Sequence, residues 1–284
     1  MTQQPQPTPT TPAGRSAVGS AIMWTTAAVG GLMILGIGAS AASAAIGSAV
    51  QGTAGGTQAV STRGVTDLDL NIGTAEFTLA YGPVTEATLE VTGPRGDQWR
   101  LNRDEDSLVV TSPRGLGGSC WFGFCPPDRS TSTVGTLTLP QEFATRELDL
   151  DATVGVGQFT SDGRFGSVSV EIGAGEARLT GMARDLDVTV GVGEFTGEFT
   201  GVQTAAFDVS MGELDARLRG PAPRTVDVTV GVGSATLELP DEVYAVQTHS
   251  SLGDMQNDLR VAPDATARIS AEVSLGELVL RPGS

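Results

Sequence analysis

Few side chains in this sequence are suited to covalent or metal chemistry: two cysteines, Cys120 and Cys125, and one histidine, His249, in 284 residues. In an exported chain two cysteines this close are expected to form a disulfide. It would close a small loop displaying Trp121, Phe122 and Phe124. Those aromatics either fold back onto the body beneath a stapled loop, or form an exposed apolar tip for a partner or a membrane surface. Two thiolates without nearby histidines leave a zinc ion short of ligands. A catalytic dithiol has two intervening residues, whereas this pair has four. His249 lies between Thr248 and Ser250, the setting of a surface residue more than of a Ser-His-Asp base.

Carboxylates are the abundant reactive group: 33 acidic residues against 17 basic ones give a net charge of −16. Glu76, Glu176 and Glu194 each stand three places after a glycine, and Glu213, Asp254 and Glu277 follow one directly. Gln158 and Ser234 interrupt the series. If the segments carrying these acids stack, neighbours lie about 4.8 Å apart and repel. They then either fan into water or hold divalent cations in pairs. Paired carboxylates also cleave glycosides, but no acid stands apart from the repeat and no aromatic cluster outlines a sugar cleft. The acidic balance excludes nucleic acid as a partner. All the basic residues are arginine, so a phosphate loop with its lysine is absent. GVGEFTG at Gly191 lacks the third glycine of a dinucleotide fingerprint and leads into strand residues. No cofactor and no metal is expected.

The elements that would position these groups are read from LDVTVGVGEFTGEF, Leu186 to Phe199. Leu186, Val188 and Val190 alternate with Asp187 and Thr189, a period of two that turns the first set inward. Gly191 and Gly193 flank Val192 at a corner suited to positive φ or close backbone approach. Beyond it Phe195 and Phe199 point inward, with Glu194 and Glu198 outward. The unit recurs, and its first glycines are Gly73, Gly155, Gly173, Gly191, Gly212, Gly231, Gly253 and Gly276. From Gly155 onward the spacing is 18–23 residues. Such units cannot bury their apolar faces alone and must stack. The prediction is an all-β, β-helix-like parallel β-solenoid, with an antiparallel sandwich as the competing arrangement of short strands.

Residues 1–15 read as a disordered tail rich in proline, glutamine and threonine. Residues 16–39 form a charge-free stretch whose apolar part is about the 20 residues that span a bilayer, a single transmembrane helix in membrane lipid. Arg15 before it places the tail in the cytoplasm and the repeats outside. The alternative is a signal peptide cleaved near ASAASAA at Ala39, which also exports the repeats. Residues 40–64 read as a flexible spacer. Residues 65–284 are the repeat domain, from which a loop at 113–132 projects.

DSLVVTSP at Asp106, GTLTLPQEF at Gly135, LDVTVGVGEFTGEFTG at Leu186 and VDVTVGVGSATLELP at Val226 carry a family resemblance over 65–281. The chain resembles the bacterial putative-adhesin β-repeat family, a domain of unknown function. It is also similar to the carboxy-terminal domain of the cell-wall-active antibiotic response proteins. The resemblance implies a β-solenoid outside the membrane, without an established catalytic site, linked to surface adhesion or envelope-stress signalling. The expectation is a non-catalytic, membrane-anchored binding, sensing or adhesion module whose partner is a cell-envelope polymer or protein. A polysaccharide-active β-helix enzyme and a structural surface spacer are the alternatives.

Overall fold

In the computed structural model, which describes residues 55–113 and 132–283, period-two alternation produces strands almost everywhere. Among the described residues there is no α-helix, only two 3-10 turns at Gly96–Gln98 and Gln141–Thr145. The strands run in chain order β1 (Gly55–Val60), β2 (Asp67–Gly82), β3 (Ala87–Thr92), β4 (Arg100–Asp104), β5 (Ser107–Thr111) and β6 (Val134–Pro140). The repeats follow as β7 (Leu148–Met182), β8 (Asp185–Thr200), β9 (Thr204–Arg219) and β10 (Thr225–Leu239). The last are β11 (Val243–Ser250), β12 (Asp254–Asn257), β13 (Arg260–Val261), β14 (Ala267–Val273) and β15 (Glu277–Pro282). All belong to one 15-stranded sheet. The stretch 16–39, expected from its composition to cross a membrane, and the stretch 1–15, expected to be a tail, lie outside the described residues. The stretch 40–64, taken from its composition as spacer, contains β1 near its end.

From β2 to β10 each unit lies parallel on the next, like residue against like. Leu68 pairs with Leu150, Val168 with Leu186, Val188 with Phe207 and Val209 with Val230. β7 supplies two such rungs, since Ser167 donates its N–H to the Asp149 carboxylate 18 residues earlier. Inward positions form core columns that mix large and small side chains. Phe77, Phe159, Ala177, Phe195, Leu214 and Ala235 succeed one another, all buried. A Phe in one rung uses the space its Ala neighbour leaves. At the first rung Phe77 stacks on Trp99, with ring centroids 5.8 Å apart.

The corner glycines are required chiefly by close approach. A Cβ at Gly193 would overlap the carbonyl oxygen of Gly175, and one at Gly175 would overlap that of Gly157. Strand hydrogen bonding continues through the corner, as in β8. Gly212 pairs with Gly193 and with Gly233, so it is the counterpart of the second glycine; Ser210 holds the place of the first.

Stacking in chain order fails at both ends. After β10, β11 and β12 form the outer rung, and β14 and β15 come back to insert between them and β10. Arg281 consequently reaches Glu238, 43 residues earlier. At the other end β5 and β6 form one rung outside β2, interrupted by the insertion. The wholly parallel arrangement expected is also broken there: β3 lies antiparallel on β6, β1 on β3 and β4 on β5. These short antiparallel strands cover an edge that a further parallel rung would otherwise leave open.

Candidate binding faces

Between the paired glycines, or the residues that hold their places in other repeats, the backbone turns one side chain outward. Register therefore lines up Thr74, Val156, Ala174, Val192, Met211, Val232, Leu275 and Leu252 in one column at the corner. The larger members are exposed, from 47% at Val232 to 82% at Leu252, whereas Val190 two residues before Val192 is wholly buried. The result is a narrow apolar ridge. Sequence reasoning assigned the glycines on either side but missed the ridge. Its signal was the repeated GVG, in which an apolar residue occupies a place that the alternation does not bury.

Carboxylates border the ridge on both sides. On one side Glu76, Gln158, Glu176, Glu194, Glu213, Ser234, Glu277 and Asp254 form the expected column. Repulsion is relieved locally: Gln158 Nε2 donates to Glu176 Oε2 at 3.4 Å, Arg178 forms an ion pair with Glu176, and Thr196 donates to Glu194. The other border alternates hydroxyls and acids, among them Thr153, Glu171, Thr189, Asp208, Thr229 and Glu272. Neither border contains an arginine.

A second acidic surface lies farther from the corner on the LDV half of the rungs. Asp67, Asp69, Asp106, Asp149 and Asp151 line an open depression of ≈ 490 Å³. Burial raises the pKa of Asp151 above the usual carboxylate value, and the neighbouring Asp69 and Glu171 add to the shift. Burial also raises Asp69, as it does Asp187, which lies beyond Ser169 in the same column and where Asp208 contributes. Among the described residues no group of three or more histidine, cysteine or acidic side chains is arranged to hold a metal ion. Beyond the acid column, Glu198, Arg217, Glu238 and Arg281 stand in register as a ladder of alternating charge. Arg217 Nε lies 3.1 Å from Glu238.

His249 is exposed on the outer rung, in register with Glu272. The adjacent Ser250 donates its hydroxyl to the carbonyl of Gly253 at 2.5 Å. Cys120, Cys125, Trp121, Phe122 and Phe124 lie outside the described residues, but both roots of their loop are defined. Ser112 is buried, accepts the Gly73 N–H on its Oγ at 2.7 Å and donates its own N–H to Asn71. The Glu76 N–H donates to the Thr133 carbonyl at 2.9 Å. The insertion thus replaces the glycine corner of its rung and starts from the line on which the ridge lies.

No protein-family model matches the sequence, and no curated protein does. Solved structures are similar at low identity. One is a putative cell adhesion protein from Clostridium sporogenes, 11% identical over 81% of this chain and 99% of that one, with a TM-score of 0.37. Another is a putative adhesin from Bacteroides fragilis, 8% identical over 82% and 98% of the respective chains, with a TM-score of 0.38. A putative adhesin from Parabacteroides merdae is 8% identical over 82% and 97%, with a TM-score of 0.31.

Proposed function

We propose that the chain is a non-catalytic binding or adhesion module of a bacterial cell envelope, a β-solenoid held outside the membrane by the helix at 16–39. The observation that carries this reading is the arrangement of outward side chains in columns at one rung spacing. An apolar ridge, acid columns and an ion-pair ladder each present one chemistry many times over, as an extended partner requires. A reaction centre instead needs a few unlike groups converging on one atom. Membrane lipid is the partner of the anchor, and an envelope polymer or protein is the partner of the rungs.

The test uses the full chain, tagged after residue 284, in a bacterial host. Protease added to intact cells is expected to degrade the tagged domain while cytoplasmic proteins survive, and the chain to remain with carbonate-washed membranes. Protection from external protease defeats the reading. Release as a shorter soluble product places cleavage near Ala39 to Ala45 in place of an anchor. Crosslinking in intact cells then identifies the partner. Deleting 120–125 is expected to weaken that capture if Trp121, Phe122 and Phe124 form a contact tip, and unchanged capture removes the tip from the proposal.

A further inference from the structure

We infer that the corner ridge is the docking line for a cationic amphipathic helix. The inference rests on reading the chain as a binding module. Exposed apolar side chains at Val156, Val192, Met211, Val232, Leu275 and Leu252 occupy a single column, where scattered surface residues would show no register. From Val156 to Leu252 the column runs about 29 Å at a rung spacing of about 4.8 Å. That is the length of roughly 19 residues of α-helix, whose turns repeat every ~5.4 Å. One apolar side chain per helical turn therefore meets about one ridge residue per rung.

Charge selects among the occupants. Glu171, Asp208 and Glu272 border the ridge on one side, and Glu194, Glu213 and Glu277 on the other. A complementary partner carries a narrow apolar stripe with basic residues on both flanks, which is the pattern of a basic amphipathic helix. A second copy would set carboxylate columns against carboxylate columns. The chain has no lysine, and Arg178, next to the acid column, is committed to Glu176. An anionic lipid surface is repelled by the same columns.

The probe is a synthetic peptide of leucine and lysine, about 18 residues long, patterned as a helix with one leucine stripe. Its binding to the full chain in phosphatidylcholine nanodiscs is read by fluorescence anisotropy, with empty nanodiscs as the reference. Binding in excess of that reference is expected, weakened by added salt and by scrambling the peptide. The combined variant V192S, M211S and V232S, and separately E194Q, E213Q and E277Q, are each expected to weaken it about tenfold, a shift of about 1.4 kcal/mol. These side chains point outward, so circular dichroism melts should match the parent chain for the serine variant and lie no lower than it for the glutamine variant.

Wild-type affinity in the serine variant overturns the assignment, as does equal binding of a leucine–glutamate peptide or equal binding to empty nanodiscs. Self-association abolished by the serine variant gives the ridge to a second copy and overturns it too. So does a gain in peptide affinity on deleting 114–131, which gives the ridge to the chain's own loop. If the peptide ignores the ridge while crosslinked capture on cells persists, only the ridge assignment falls, and the binding-module reading stands.

Discussion

A methyl group at Gly193 meets the carbonyl oxygen of the rung beneath, so the two neighbouring rungs must separate to admit it. The Gly193→Ala variant is expected to lose about 2 kcal/mol or more in urea unfolding. Val192→Ala, one residue away and exposed, should fall within about 0.5 kcal/mol of the parent. Deep in the core, Phe195→Ala is expected to cost about 3–5 kcal/mol by the same measurement. Asp151 supplies the pH counterpart. Burial and its acidic neighbours raise its folded-state pKa above 3.8, so native Asp151 holds its proton more tightly than the unfolded chain does. Its penalty on stability is absent below the unfolded value and grows as pH rises through the raised one. Asp151→Asn should therefore stabilise the fold at pH 7, and the gain should vanish below about pH 4; melting curves across that range check both signs.

Within an element, alternation was plain in the sequence because inside and outside alternate residue by residue. Leu186, Val188, Val190, Phe195 and Phe199 are all buried where the period of two places them. The acid column was legible for the same reason, as each member keeps a fixed distance from a glycine. The order of rungs was not. A strand cannot show in its own residues whether its partner lies 21 positions away, as Arg217 does from Glu238, or 43, as Arg281 does. Gly212, Gly253 and Gly276 were read as first glycines but stand in the column of the second, because MGE, LGD and LGE each preserve one glycine and do not say which. The insertion of β14 and β15 between earlier rungs has a direct test. A chain ending at residue 263 should lose amide protection in β11 and β12, whose neighbours are gone, while β7 to β9 remain protected in hydrogen exchange.

At the scale of the molecule, a net charge of −16 adds to direct stacking of carboxylates at particular places, as where Glu194 lies between Glu176 and Glu213. Self-repulsion of this sort is long-ranged and screened by salt. Melting temperature is therefore expected to rise between about 10 mM and 0.5 M sodium chloride, as the Debye length falls from about 30 Å toward 3 Å. A flat or falling curve would show that ion pairs such as Arg217–Glu238 outweigh the repulsion.

The place of β14 and β15 also sets a timetable. Ribosomes deliver β10, then β11 and β12, before the residues that belong between them exist. Until 267–282 have docked, the outer edge of β10 is unpaired, and β11 and β12 lack the strands they lie on. The equivalent segment of a second copy matches that edge residue for residue, so refolding at high protein concentration is expected to yield exchanged dimers, read by gel filtration against refolding at high dilution.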